Sequence, residues 1–185
     1  MHNLGLTVHD MTILTEGGLQ INFNGVRHAM KFDQNDPSLP DFHDLQNMPR
    51  VDFIVETDES IYFIEVKDPG RPDAVDMGGT KLLKKIVNGT LEASLIEKYI
   101  FSFFYRWAEC CLDKTVHYVS LITFEAGELQ SLIDGMERQM INFSKKSSRW
   151  NREPLASCQF HNIETWHAVF PQWPITRLAP VVQEA

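Results

Sequence analysis

The sequence lacks what a secreted or membrane-embedded protein would need. It contains three cysteines, an odd number, and Cys110 and Cys111 are adjacent, so a disulfide framework is not expected. No apolar run approaches the roughly eighteen residues of a membrane span. The opening stretch, MHNLGLTVHDM, has neither the basic start nor the apolar run of a secretion signal. A cytoplasmic setting without membrane contact is the expectation. Ser/His/Asp elbows and Walker-type glycine loops are also missing; Gly78-Gly79-Thr80-Lys81 lacks the spacing and the preceding strand. There is no internal repeat and no low-complexity tract. Positive charge is scarce too. A net charge of −8 argues against a general nucleic-acid coat, although a nucleic-acid enzyme needs only a local basic stripe, and a metal site adds carboxylates of its own.

What is present is a soluble globular composition. With 185 residues and 43% hydrophobic content, the chain can bury one proper core, and a single domain over 1–185 is expected. Residues 1–48 form a strand-rich segment and residues 144–185 a C-terminal extension. Met11–Thr15 and Leu19–Phe23 flank Glu16-Gly17-Gly18 as a hairpin, and Val26–Phe32 is a further strand. Asp33–Met48, rich in Asp, Asn and Pro, reads as a surface loop with a turn of helix near Phe42–Gln46. Val51–Glu56 and Ile61–Lys67 are two strong strands, and Pro69-Gly70-Arg71-Pro72 ends the second.

From Thr80 to Leu112 the pattern is helical. Leu83, Val87, Leu91, Leu95, Tyr99, Phe103 and Trp107 recur every four residues. Asn88-Gly89-Thr90 breaks the run into two helices, with Thr90 expected to cap the second. Val116–Phe124 reads as a buried strand, Glu128–Phe143 as an amphipathic helix, and Ile163–Phe170 as a last strand. This order predicts an α/β (α+β) fold with helices packed on a sheet.

Chemistry concentrates between Pro49 and Lys67. A symmetric reversal centred between Asp58 and Glu59 makes the numbers of opposed residues sum to one value, so Ile54 faces Phe63 and Asp52 faces Glu65. Lys67, two residues on, points to the same side. Two carboxylates about 5 Å apart repel by roughly 3 kcal/mol at an effective dielectric near 20. A divalent cation converts that repulsion into coordination, and Mg2+ favours one or two carboxylates together with waters and phosphate oxygens. Lys67 would then orient or help deprotonate an attacking water. The plainer alternative has Lys67 simply neutralising Asp52 or Glu65 at a sheet edge.

Asp52 followed by Glu65-Val66-Lys67 on the next strand resembles the D…(D/E)XK signature of the PD-(D/E)XK, restriction-endonuclease-like nucleases. The likeness covers about Pro49 to Phe124 in topology and three residues in motif. Pro49 is not adjacent to Asp52, and no first helix carrying a further acid is evident. The resemblance implies a mixed central sheet flanked by helices and Mg2+-dependent (or Mn2+-dependent) hydrolysis of phosphodiesters in nucleic acid, with DNA expected ahead of RNA. Asp52 and Glu65 would hold metal with the Val66 carbonyl, and Lys67 would be the catalytic lysine. Glu16, Asp41 and Asp44 are candidates for an additional acid. A binding subunit that keeps the nuclease fold without catalysis is the alternative.

Lys81, Lys84 and Lys85 are candidates for phosphate contacts, as is the basic segment with Lys145, Lys146, Arg149 and Arg152 around Trp150. Each has an ordinary solvated surface as its alternative. The aromatic helix with Phe101, Phe103, Phe104, Tyr105 and Trp107 is a candidate homodimer face. The small size, with no specificity domain, is also compatible with a subunit of a larger defence or repair complex. Cys158 and His161 have CxxH spacing without a second clean pair, so structural zinc is not expected.

Overall fold

A computed structural model describes residues 11–45, 47–69, 78–123, 130–143 and 147–179. The fold is mixed α+β, with two sheets and helices. β1 (Thr12–Glu16) and β2 (Leu19–Phe23) form the expected hairpin. They are followed by β3 (His28–Lys31), β4 (Phe53–Glu56) and β5 (Ser60–Lys67). Two helices follow, α1 (Gly78–Val87) and α2 (Thr90–Ala108), and then β6 (Thr115–Ile122). The chain continues through α3 (Gln130–Phe143), β7 (Ser157–His161), α4 (Ile163–Val169) and β8 (Ile175–Arg177).

The larger sheet has the order β3-β4-β5-β6-β7. Its first three strands pair antiparallel, whereas β6 lies parallel to both β5 and β7. A parallel partner requires a long crossover, which α1 and α2 supply between β5 and β6. Alternation along the strands separates two cores. Ile54, Ile61, Phe63, Tyr118 and Phe160 pack against Leu82, Ile86, Leu91, Leu95, Tyr99, Met136 and Met140 of α1, α2 and α3. Phe53, Val55, Ile64, Val66, Val119 and Leu121 face the other way, towards Leu19, Ile21 and Phe23 of β2 and Trp166 of α4.

The smaller sheet has the order β1-β2-β8, so strands near the two ends of the chain pair directly. The C-terminal part is therefore no appendage: it contributes β7 to the large sheet and β8 to the small one. Asp68, at the end of β5, ties the sheets together. Its buried carboxylate accepts two hydrogen bonds from the Arg177 guanidinium, at 2.8 and 3.0 Å, and one from the Thr123 hydroxyl.

Several local expectations need correction. Ile163–Phe170 is not a strand. Asn162 and Thr165 form a reciprocal capping box that starts α4, and Trp166 and Phe170, one turn apart, bury the same face. Phe42–Gln46 forms no helix over its described residues, which are irregular with a bend at Asp44, φ 57°. Thr90 is not the cap of α2. Gly89, at φ 71°, holds that position without a side-chain bond, and the Thr90 hydroxyl donates to the Asn88 side chain. The four-residue stripe also misassigned α1: Val87 is exposed and Leu83 partly so, while Leu82 and Ile86 fill the core.

Candidate active site

β4 and β5 pair in the expected register, with Phe53 opposite Ile64, Ile54 opposite Phe63 and Glu56 opposite Ile61. Asp52 lies one residue before β4. Its backbone carbonyl accepts the Phe32 N–H at 2.8 Å, and its carboxylate oxygen Oδ2 accepts the Val66 N–H at 2.6 Å. Both motif acids are buried, Asp52 at 3% exposure and Glu65 at 0%. Glu65 belongs to the side of β5 that carries Ile61 and Phe63, and so faces α2. The Lys67 ammonium donates to Glu65 Oε1 and, at 3.3 Å, to the Val66 carbonyl. The three motif residues thus meet in one pocket at the helix-covered face of the sheet.

A fourth member is Lys98 of α2. Its ammonium lies 2.6 and 2.8 Å from the two Glu65 carboxylate oxygens and 3.4 Å from Asp52 Oδ1. One turn further along α2, the Ser102 hydroxyl accepts the Val51 N–H at 3.1 Å. This bond pins the helix to the start of β4 and sets the reach of Lys98. The sequence did carry a signal: Lys98, Ser102 and Arg106 continue the core-facing stripe begun by Leu91 and Leu95. Polar residues at core positions call for buried partners.

A further acid is present as well. Single carboxylate oxygens of Glu16, Asp33 and Asp52 all lie within 4.8 Å of one another. Glu16 was among the candidates; Asp33 was not, because it stood at the start of a presumed surface loop. Pairing of β3 with β4, in which Lys31 faces Phe53, carries it to the site. Lys31 neutralises part of this group, with its ammonium 2.5 Å from Glu16 and 3.7 Å from Asp33. Asp41 instead accepts the Lys31 N–H at 3.3 Å, and Asp44 is exposed at its bend. Neither belongs to the acidic group.

The electrostatics follow from this crowding. Burial, and then the neighbouring Asp52, push the Glu65 carboxyl up to about 7, against the opposing pull of Lys67 and Lys98. Burial and Asp52 likewise raise Asp33 to about 6. Burial works against the Lys98 ammonium, but Glu65 and Asp52 outweigh it and hold that ammonium above the ordinary lysine value. Four carboxylates, those of Glu16, Asp33, Asp52 and Glu65, thus share three ammoniums, those of Lys31, Lys67 and Lys98. Two more polar atoms lie on this side of the sheet. The hydroxyl oxygens of Tyr118 and of Ser120, the residue paired with Glu65 across β5 and β6, are buried without a hydrogen-bond partner.

The other sequence candidates lie elsewhere or outside the described residues. Lys84 and Lys85 are exposed on α1, and Arg149 and Trp150 are exposed in the loop before β7. The side chain of Lys81, and Lys145 and Lys146 altogether, are outside the described residues. Cys158 packs in the helix-side core, whereas His161 stacks edge-on against Trp166 and Phe170 of the opposite one. The two do not converge on a zinc site. Phe104 and Trp107 stack on each other and border an apolar cavity of about 440 Å³ with Tyr99, Phe103 and Trp150. No helix among the described residues is long and apolar enough to cross a membrane. Compared with protein-family models, curated proteins and solved structures, the chain matches none of them.

Proposed function

We propose that the protein is a Mg2+- or Mn2+-dependent phosphodiesterase of the PD-(D/E)XK type, acting on nucleic acid and on DNA in preference to RNA. The observation that carries this reading is the meeting of buried Asp52 and Glu65 with Lys67 at the end of one strand pair. The order of elements is compatible with this reading: an antiparallel β4-β5 pair, a helical crossover and a parallel β6 are what a restriction-endonuclease-like core would require.

The donor set suits a hard divalent ion. Carboxylate oxygens of Asp52, Glu65, Asp33 and Glu16, with the Val66 carbonyl, are ligands of the class that magnesium and manganese accept. Their excess of negative charge over the three lysines is what a bound cation would offset. When bound, the ion would activate a water and stabilise charge on the phosphate oxygens. Asp52 and Glu65 would hold it, with Asp33 and Glu16 on the far side of Asp52. Lys67, one-third exposed, is the more accessible of the two lysines that contact Glu65. It can hold the attacking water or a phosphate oxygen by a charge-assisted hydrogen bond. The buried floor of the site keeps the acids fixed while that lysine stays partly exposed.

The test is cleavage of single- and double-stranded DNA and RNA by purified protein with Mg2+ or Mn2+, beside Glu65→Ala and Lys67→Ala. Loss of divalent-dependent cleavage in both variants, with folding retained, is expected. Cleavage that survives both refutes the assignment. Absence of cleavage and of calorimetric metal binding in the unaltered protein favours the alternative, a nuclease-fold subunit that binds nucleic acid or a protein partner.

A further inference from the structure

Lys98 has a role that lies outside the three-residue motif. Its ammonium makes close contacts with both carboxylate oxygens of Glu65 and approaches Asp52 Oδ1. A cation shared by those two carboxylates would need the same oxygens. Glu65 Oε1 also accepts from Lys67, so neither oxygen of Glu65 is free of a lysine. The position between the two motif acids is therefore already filled by a positive group belonging to the chain itself.

That arrangement is built rather than incidental. Lys98 projects from the core-facing side of α2, between Leu95 and Tyr99, both buried. The Ser102–Val51 bond fixes the helix against the strand that leads into Asp52. The Lys98 side chain is only 20% exposed, so in its present position it belongs to the interior of the cluster rather than to the surface. By contrast, Asp33 and Glu16 lie on the Lys31 side of Asp52, and their group includes an Asp33 oxygen that is buried without a hydrogen bond.

We propose that Lys98 is the resident counter-cation of the Asp52–Glu65 position, and that a divalent ion binds there only by displacing its ammonium. This rests on the metal-dependent reading above and adds a control to it. The metal-free pocket stays folded because the lysine compensates two buried carboxylates. The same lysine weakens divalent affinity by competing for them. Lys98 is thus a positioning residue that acts through Asp52 and Glu65, distinct from the more accessible Lys67.

The experiment is Mn2+ binding, followed by calorimetry and by the rise in melting temperature, in the unaltered protein and in Lys98→Met, Lys98→Gln and Lys98→Arg. Lys98→Met and Lys98→Gln should melt lower without metal, gain more from Mn2+, and bind it about tenfold more tightly or better, a change of about 1.4 kcal/mol. Lys98→Arg, which keeps the charge, should bind no more tightly than the unaltered protein. In the unaltered protein, reductive methylation of Lys98 should speed up several-fold on saturation with Mn2+, a readout that does not depend on any variant folding. Equal or weaker Mn2+ binding in the neutral variants, or unchanged labelling of Lys98, overturns the proposal while leaving the metal site standing. No Mn2+ binding in the unaltered protein or in any variant overturns both.

Discussion

The carboxylate of Asp52 accepts the backbone N–H of Val66 at 2.6 Å, so the first motif acid is tied to the residue between the other two. This bond does two things at once. It satisfies a buried donor of β5, and it leaves the other Asp52 oxygen, Oδ1, for Lys98 at 3.4 Å. The geometry of the candidate site thus depends on a side chain acting as part of the sheet's hydrogen bonding.

Asp52→Ala should accordingly cost about 1–3 kcal/mol of stability, the penalty for leaving a buried N–H unsatisfied, in addition to removing a metal ligand. Asp52→Asn can keep the Val66 bond through its side-chain carbonyl and should lose far less stability while still losing divalent binding. Urea unfolding of both variants, beside Mn2+ titration, checks this. Equal stability losses in the two would show that the Val66 bond contributes little.

Gly17→Ala should destabilise the protein by about 1–2 kcal/mol, since a left-handed backbone disfavours any side chain. Gly17 has φ 57°, and a Cβ there would come within 3.2 Å of Asp68 Cβ. Because Glu16 precedes this turn and Asp68 follows Lys67, the substitution should also weaken Mn2+ binding. Thermal unfolding and metal titration of the single variant measure both effects; a melting temperature equal to that of the unaltered protein would contradict the strain.

Thiol labelling should separate the three cysteines. Cys158 is buried, and burial pushes its thiol well above the ordinary range, whereas Cys110 is exposed and Cys111 partly so. The thiolate is the reactive form. Native protein should therefore be alkylated at Cys110 and Cys111, with Cys158 reacting only after denaturation. Mass spectrometry of digests reads this directly, and prompt native labelling of Cys158 would count against the packing of β7.

Two histidines remote from the acidic group should each contribute a loss of stability in mild acid, opposed over the same window by the raised carboxyls of Glu65 and Asp33, which stabilise the fold as pH falls. His117 stacks on Tyr62 and bonds the Ser157 hydroxyl at 2.8 Å, and His161 packs against Trp166 and Phe170. Burial lowers both below the ordinary histidine value of 6.5. A base with a depressed folded pKa gives stability that is complete above 6.5 and declines as pH falls towards the folded value, because the unfolded chain takes up protons first. Urea unfolding of the unaltered protein and of His117→Gln between about pH 7.5 and about pH 5 isolates the histidine contribution: the variant should gain stability relative to the unaltered protein as pH falls. An identical slope in that variant would remove His117 from the account.

Part of this architecture was legible in the linear chain for a simple reason: it is local. The reversal at Asp58-Glu59 fixed the register that brings Asp52 alongside Glu65, and a period of two put Lys67 on the same side. The break at Asn88-Gly89 marked the end of α1, and Gly17-Gly18 marked the first hairpin. Ile163–Phe170 misled because a short apolar run fits strand and helix alike, and the capping side chains of Asn162 and Thr165 decided between them.

Tertiary structure alone decided the rest. Pairing of β3 with β4 across a loop of some twenty residues brought Asp33 to Asp52, and no local pattern specifies such a pairing. Packing of α2 over the sheet inserted Lys98 between the two motif acids. Pairing of β8 with β2 joined strands far apart in the chain and set Arg177 beside Asp68 at the end of β5. Local sequence sets which way a side chain points along its own strand or helix; which distant residue it meets depends on how those elements bury their apolar faces against one another.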